Sequence, residues 1–353
     1  MMKRIHLILA SIIIFLSYND TLGQANSDVF KQAKKNNRIF RFNKELRYTT
    51  VGISINAINY FGDLAPRPGN LSTDISFTRS GFGLLANHRV GSRVFLRGSL
   101  NWATMKGDDF ESADLNDPES RDRYVRNLQF RNTIFELSGT VIFDLIRNHG
   151  FYVKRARFTP YIFTGFALFH HNPEAKVPEF DYKGDPLAEA GDWVKLHPLG
   201  TEGQNNDASG VDPYHKVQFS VPAGFGVRLR LNKNFDLAFE MGYRILFFDY
   251  IDDVSNEYPD YGLLENDLAR TLSGRAFEPI AVVSGDPRNS DILQILDQSR
   301  TSYVGADNNS YFLVSDNHPG GQRGDNNDND LYVVTSLQLT YVLGSPIGKP
   351  KFR

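Results

Sequence analysis

Charged side chains lie on the polar face of several segments whose other face is apolar. They are Arg97, Glu136, Arg228, Arg230, Glu240 and Arg244. Arginine and glutamate in this pattern could form ion pairs or pass a proton or an ion. Charges inside a narrow enclosure usually pair, because a buried charge that loses its partner is costly. We interpret the six residues as a network of buried ion pairs, with a proton or ion path as the alternative.

Two acidic segments could also carry chemistry. Asp252 and Asp253 could act as paired carboxylates in acid–base catalysis. No candidate nucleophile or base lies near them, so hydrogen bonds that fix a loop are the preferred interpretation. Segment 325–330, rich in Asp and Asn, offers the oxygen ligands that calcium prefers, but it lacks the glycine and the final acid of a calcium loop. We interpret it as a polar loop, and calcium binding stays open.

His170 and His171 could be metal ligands or part of a hydrolase site. Adjacent strand residues point to opposite faces, so the two cannot easily serve one ion, and we expect interface histidines. A catalytic site would need a nucleophile beside a histidine and an acid. The loop serines show no recognisable spacing to His170. We therefore expect no enzymatic activity, no cofactor and no metal site.

The segments that carry these residues alternate in polarity. In the last of them Leu337, Leu339 and Tyr341 share one face, while Gln338 and Thr340 share the other. Period-2 alternation predicts a strand between two different environments. Eight such strands are predicted, over residues 48–60, 77–89, 93–105, 128–146, 158–169, 215–231, 235–248 and 331–343. The fifth is apolar on both faces, so its two sides stay unassigned.

The N-terminus predicts export. Lys3 and Arg4 precede an apolar run from Leu7 to Leu16 and a polar stretch that ends at Gly23, which indicates a signal peptide over residues 1–23. The 353 residues contain no cysteine, which excludes disulfide and thiolate chemistry and a lipid-anchored N-terminus. No later apolar stretch reaches the length of about 18 residues that a membrane helix needs.

Alternating strands of about ten residues behind an export signal are typical of a transmembrane β-barrel. We predict an all-β fold, an eight-stranded antiparallel up-and-down barrel over residues 48–344. Its long extracellular loops are expected at 106–126, 172–214 and 249–330, the last with a short helix from Ser290 to Gln298. A barrel of eight strands is just wide enough to be filled with side chains, which argues against a pore.

Both termini of such a barrel lie in the periplasm, and both are basic: an N-terminal segment over 24–47 and a tail over 345–353. The basic residues expected on that side are Lys31, Lys34, Lys35, Arg38, Arg41, Lys154, Arg155, Arg157, Lys349 and Lys351. They could dock an acidic partner surface, with steering by complementary charge. The alternative is that these termini and turns are simply solvated.

Ordered motifs resemble the PorG-type outer-membrane barrels of type IX secretion systems and a related, broader barrel family. Near the first strand, Asn59, Tyr60, Gly62 and Asp63 are similar to the family's N-Y-x-G-D-L motif. After the seventh strand, Tyr250, Asp252, Asp253 and Ser255 are similar to its D-Y-I-D-D-V-S motif. Gly226–Arg228, Glu240–Arg244, Arg323–Gly324 and Asp330–Tyr332 complete the set.

The resemblance implies a non-enzymatic component of a protein secretion system. We expect an outer-membrane barrel that contacts membrane lipid and, through its periplasmic face, a ring lipoprotein and associated secretion subunits. No nucleic acid and no small-molecule substrate is expected. The alternative is a small outer-membrane barrel that acts as a surface adhesin or a passive pore.

Overall fold

Eight long strands form a closed barrel in the computed structural model of the chain, which describes residues 46–65, 77–118, 120–314, 317–326 and 329–343. The strands are β1 (Thr49–Phe61), β2 (Arg79–Arg89), β3 (Val94–Asp108), β4 (Gln129–Asp144), β5 (Phe158–His170), β6 (Glu174–Lys176), β7 (Trp193–Lys195), β8 (Val217–Arg230), β9 (Phe235–Ile245), β10 (Thr301–Val304), β11 (Ser310–Leu313) and β12 (Leu331–Leu343). The helices are α1 (Asp109–Ser112), α2 (Arg121–Arg126), α3 (Asp267–Ser273) and α4 (Ser290–Gln298). The short helix predicted in the last loop is α4.

The barrel strands pair antiparallel in the order β3, β2, β1, β12, β9, β8, β5, β4, and a pairing between β3 and β4 closes the ring. The first and last strands of the chain lie side by side, with Thr49 opposite Leu343. Closure leaves no barrel strand with an unpaired edge, which in lipid would be costly. The predicted eight-stranded up-and-down barrel is confirmed.

Side-chain exposure alternates along the barrel strands, with apolar residues on the outside. In β2 every second residue is buried, while the outward Phe82 and Leu84 are 56% and 60% exposed. The structure also assigns the sides of β5: Phe166 faces outward and Phe163 faces inward. The sequence could not separate these sides because both carry apolar residues. The result is an apolar outer wall around a mixed interior.

Short and long connections fall at opposite ends of the barrel. We call the end with residues 90–93, 145–157 and 231–234 the turn end. The described residues of the other connections, within 62–78, 109–128, 171–216 and 246–330, form the loop end. β1 starts and β12 finishes at the turn end. The predicted signal peptide, nearly all of the 24–47 segment and the 345–353 tail lie outside the described residues.

The loops at the loop end have structure of their own. β6 pairs with β4 and with β7, so this part of the barrel wall continues beyond the ring, and β10 with β11 forms a separate hairpin. We call the described residues of the loop end the loop cap. It contains further hydrophobic cores, which centre on Tyr261, Ala276 and Leu272. No helix in the described part of the chain is long and apolar enough to cross a membrane.

Candidate functional site at the loop end of the barrel

Ion pairs cross the barrel interior. Arg97 Nη1 lies 2.6 Å from Glu240 Oε2, and Arg244 Nε lies 2.8 Å from Glu136 Oε2. All four side chains are buried. The cavity between Glu136, Arg244 and Tyr332 has a volume of about 20 Å³, which is room for about one water molecule. These pairs close the middle of the barrel.

The two remaining arginines of the predicted network lie nearer the turn end. Arg228 Nη1 is 3.2 Å from Asp144 Oδ2, an acid that was not in the predicted set. Arg230 donates to the Val153 carbonyl at 3.1 Å, and its strand neighbour Asp236 is occupied by Arg155. The prediction that Arg230 forms an interior ion pair is therefore wrong, because its cross-strand neighbour Asp236 already has a partner.

Residues 249–255 fold across the loop end, and we call them the lid. Ile251 and Val254 are buried there, in a core that includes Tyr60, Phe130 and Leu246. Asn132 Nδ2 donates to the Ile251 carbonyl at 2.6 Å. The Ile251 amide donates to Asp330 Oδ2 at 2.9 Å. The lid thus binds through its backbone to side chains of β4 and of the residue preceding β12.

Tyr60, near the end of β1, connects two acids of the lid region. Its hydroxyl oxygen lies 2.5 Å from Asp252 Oδ2 and 2.9 Å from Asp330 Oδ1. A phenol carries one proton, so it donates to only one carboxylate. The second contact is a hydrogen bond only when the other carboxyl is protonated and donates to the phenol oxygen. Both contacts can thus be hydrogen bonds when one of the two carboxyls carries a proton.

A second group of contacts holds the far side of the lid. Thr201 and Tyr214 donate their hydroxyls to the carboxylate of Asp253, at 2.5 and 2.6 Å. Arg323 Nη1 donates to the Asp253 carbonyl at 2.8 Å and to Glu202 Oε1 at 2.7 Å. Asp253 has a positive φ of 71°, a conformation that these contacts stabilise. The lid is fixed from two loops at once.

Glu202 was missed by the sequence reasoning. It is buried, pairs with Arg323, and accepts from the backbone amides of Ser255 and Asn256 at 3.0 and 3.2 Å. It lies in a polar loop where no periodicity marks a buried position. The only sequence signal is that Arg323, which belongs to the resembling motifs, needs an acid somewhere in the loops.

Burial shifts the ionisation of the acids around the lid. It raises the pKa of Asp63 to about 6 and that of Asp249 to about 9, the latter further increased by the charges of Asp252 and Asp63. Burial and neighbouring carboxylates also hold the pKa values of Asp252 and Asp330 well above their ordinary range. Asp249 Oδ2 is buried and has no hydrogen-bond partner among the described residues. These carboxyls therefore retain protons at a pH where exposed acids are charged.

The remaining family-motif residues border the same site. The side-chain amide of Asn59 donates from Nδ2 to the Thr78 hydroxyl at 2.8 Å. The backbone amide of Asp325 donates to Asp63 Oδ2 at 3.1 Å. A side chain at Gly62 would collide with Tyr60 and with Asp330. The motif residues, distant in sequence, thus meet in one structure that closes the barrel.

The sequence offered two groups that could bind a metal ion, segment 325–330 and the pair His170 and His171. Neither forms a metal site in the described ranges, where no cluster of three or more His, Asp or Glu side chains could hold a metal ion. Asp330 is occupied by Tyr60 and Ile251, and residues 327–328 lie outside the description. His170 is exposed, as an interface histidine would be. His171 is buried against Tyr214, and burial lowers its pKa to about 4. The prediction that His171 lies at the membrane–water interface is therefore wrong.

The predicted basic docking residues are only partly described. Lys154 and Arg157 are exposed at the turn end. Arg155 is buried: its guanidinium holds Asp236 at 2.8 Å and the Tyr152 and Lys233 carbonyls at 2.6 and 2.8 Å. The prediction that Arg155 contacts a partner is wrong, because Nε and both Nη atoms of its guanidinium already donate to Asp236 and to backbone carbonyls of Tyr152, Asn232 and Lys233. The other predicted residues, Lys31, Lys34, Lys35, Arg38, Arg41, Lys349 and Lys351, lie outside the described ranges.

Comparisons with known proteins give a family match and similar folds. No curated protein matches the chain. Solved structures that resemble it include Neisserial surface protein A (NspA), 9% identical, with 83% of this chain and 96% of that chain covered and a TM-score of 0.33. The outer membrane protein OprG from Pseudomonas aeruginosa is 8% identical, with coverages of 85% and 98% and a TM-score of 0.36. Ail, the attachment invasion locus protein of Yersinia pestis, is 8% identical, with coverages of 84% and 97% and a TM-score of 0.31.

Residues 38–184, which include β1 to β5 and the first of the two principal motifs, match the model of the family described as Domain of unknown function (DUF6089).

Proposed function

We propose that the chain is a sealed, non-enzymatic barrel of the bacterial outer membrane that anchors subunits of a type IX secretion system through its turn end. The outer wall supports the membrane location. Ile53, Leu84, Leu137 and Phe166 are each more than half exposed although they are large and apolar. Soluble monomers rarely expose apolar patches of this extent, whereas lipid requires them.

Aromatic residues near both ends of this wall support the same location. Phe82 stacks on Trp102 and Phe219 on Phe247 towards the loop end, while Phe235 packs on Tyr341 at the turn end. Aromatic girdles of this kind lie at the two membrane interfaces of outer-membrane barrels.

The closed interior is the observation on which the anchor role depends. The cross-barrel ion pairs fill the middle, and the lid covers the loop end through contacts that involve Tyr60, Asp252 and Arg323. A barrel filled in this way has no route for solute, so its surfaces must perform its function. This favours an anchor over the passive pore.

The turn end supplies the docking surface in this proposal. Short turns of outer-membrane barrels lie in the periplasm, so β1 starts and β12 finishes there. Lys154 and Arg157 are exposed in the 145–157 turn, and the sequences on either side of the barrel are basic. An acidic surface of a periplasmic ring lipoprotein would complement this charge.

A deletion strain tests the secretion role. We expect loss of the gene to leave secreted cargo inside the cell, and the wild-type gene to restore secretion. The Lys154→Glu/Arg157→Glu double variant should restore barrel assembly but not secretion. A matched variant at the loop end, Lys195→Glu, should restore both, since Lys195 is exposed away from the turns. Normal secretion in the deletion strain would contradict the proposal.

A surface adhesin is the second candidate, and one observation favours it. In the hairpin of β10 and β11, Val304 is 66% exposed and Phe312 is 59% exposed, both on the face opposite the buried Tyr311. Contiguous exposed apolar patches can mark interaction surfaces, and these two side chains share one face of the hairpin. Impaired cell attachment with normal secretion in the deletion strain would support the adhesin instead.

A further inference from the structure

A cavity of about 620 Å³ lies in the loop cap, and no residue of the lid lines it. One wall is segment 176–191, which begins at the last residue of β6. The other wall is segment 271–282, which begins in α3, and Arg300 also contributes to the lining. The volume is in the range of cavities that bind small organic molecules. The cavity is open to solvent on one side, so a ligand can enter it.

The two walls are fixed to each other, so the cavity is preformed. Arg275, which is buried, donates to the Lys176 carbonyl at 3.1 Å and to both carboxylate oxygens of Glu278 at 2.6 and 2.8 Å. The Tyr182 amide donates to the Thr271 hydroxyl at 3.2 Å. A preformed site does not need to be ordered when a ligand binds, which favours affinity.

Aromatic rings with stacked cations form part of the lining. The Arg300 guanidinium lies 3.8 Å from the centroid of the Phe277 ring, and Lys183 Nζ lies 5.1 Å from that of Tyr182. Phe180 and Ile280, one from each wall, also line the cavity and are each 47% exposed. The lining thus combines apolar surface with cations held over aromatic faces.

The two cations are available to a ligand. Arg300 pairs with Asp297 at 3.1 Å and Lys183 with Asp267 at 2.9 Å, and both acids are well exposed. Exposed ion pairs contribute little stability, so a ligand anion can replace these acids at small cost. Of the three acids of the lining, two are already occupied, Glu278 by Arg275 and Asp181 by the backbone amides of Lys183 and Asp185 at 2.8 Å, and the third, Glu179, is exposed to solvent, which screens its charge.

We propose that this cavity binds a small amphiphilic anion. Its flat apolar body would lie against Phe277 and Tyr182, and its anionic group would pair with Arg300 and Lys183. Such a site goes beyond the anchor role, because it gives the exposed cap a ligand of its own. The same chemistry, an aromatic body next to a carboxylate, occurs in free organic acids and in peptide segments.

Binding to the purified barrel in lipid nanodiscs tests the proposal, with empty nanodiscs as the control for partition into lipid. The probe is naphthalene-1-acetate, compared with its neutral amide and with acetate. We expect saturable binding of the acid, and binding about tenfold weaker for the amide, which lacks the charge. Acetate, which lacks the apolar body, should not bind. A capped tetrapeptide with tryptophan followed by aspartate separates the sources: binding tighter than that of naphthalene-1-acetate assigns the site to peptide segments, and weaker binding assigns it to free acids.

Variants locate the site. Arg300→Ala and Phe180→Ala change partly exposed residues and should leave the fold intact, yet each should weaken binding of the acid by about tenfold. Their matched controls are Lys195→Ala and Phe312→Ala, exposed in the loop cap outside the cavity lining. Acid binding no greater than to empty nanodiscs, equal binding of acid and amide, or unchanged binding by both cavity variants would each overturn the proposal.

Discussion

The hydroxyl oxygen of Tyr60 and Oδ2 of Asp252 lie 2.5 Å apart, although the two residues are 192 positions apart in the chain. This hydrogen bond joins the end of the first barrel strand to the lid that closes the barrel. It connects two motifs that look independent in the sequence. The lid is therefore part of the barrel core and not a loose external loop.

Removing the Tyr60 hydroxyl should weaken the lid. Tyr60→Phe removes the hydroxyl that both buried carboxyls, Asp252 and Asp330, contact, and a buried group left unsatisfied costs about 1–3 kcal/mol. We expect a lower unfolding temperature, read from the heat-dependent mobility of the barrel on gels. Tyr243→Phe, on the exposed outer wall, is the control and should change little. Equal stability of both variants would show that the Tyr60 hydroxyl does not hold the lid.

Closure of the lid should depend on pH in a defined direction. Burial raises the pKa of Asp249 to about 9 from its ordinary 3.8, so between these values the closed lid binds a proton that the open lid releases. The closed state is therefore fully favoured below about pH 4 and loses stability as the pH rises towards 9. Asp63, with a pKa of about 6, adds to this loss over the lower part of the range. Hydrogen exchange of residues 249–255, corrected for the intrinsic pH effect, measures the change.

Asp249→Asn is the matched test of that dependence. The amide is neutral at every pH, so the variant should lose part of the slope and be better protected than wild type at pH 8. Asp286→Asn, an exposed acid of the same loop, should behave like wild type. Protection that rises with pH, or a slope that Asp249→Asn leaves unchanged, would contradict the assignment.

The cross-barrel pairs should be needed for stability. Arg97→Met leaves Glu240 buried without its partner, which typically costs about 3–5 kcal/mol. Arg97→Met combined with Glu240→Gln should recover part of that loss, because no lone charge remains. Arg230→Met is the control and should cost about 1 kcal/mol, since Arg230 donates to a carbonyl and not to an acid. Equal costs for the two arginine variants would show that Arg97 and Glu240 are not coupled.

Neighbouring basic residues at the turn end should differ in their effects. Arg155→Ala removes the buried partner of Asp236 and should lower the stability by about 3–5 kcal/mol. Lys154→Ala, at an exposed position, should stay within about 0.5 kcal/mol of wild type. Thermal unfolding of the two variants measures the difference. Similar stability of the two would contradict the structural role assigned to Arg155.

The basic N-terminal segment should serve the partner and not the barrel. Deletion of residues 26–44 should weaken retention of periplasmic subunits during purification while the heat stability of the barrel stays the same. If the deletion variant has the same barrel stability and still retains all partner subunits, docking depends on other residues.

Alternation predicted the eight strands within a few residues, because every barrel strand separates lipid from the interior. It could not assign the two faces of β5, because the inward Phe163 is as apolar as the outward Phe166. Nor could it find the partners of interior charges: Asp144 and Glu202 are marked by neither spacing nor periodicity. Which acid meets which arginine depends on the register of strands and on loop packing. The buried ion pair of Arg155 with Asp236 was missed as well. The nearby basic residues Lys154 and Arg157 are exposed, and the sequence does not distinguish Arg155 from them.

A pull-down of the tagged mature protein from native outer membranes in mild detergent, followed by mass spectrometry, tests the anchor role most directly. The account predicts that periplasmic ring lipoproteins co-purify with the wild type and are lost with Lys154→Glu/Arg157→Glu. Recovery of the barrel alone, from membranes in which the ring is demonstrably intact, would contradict it.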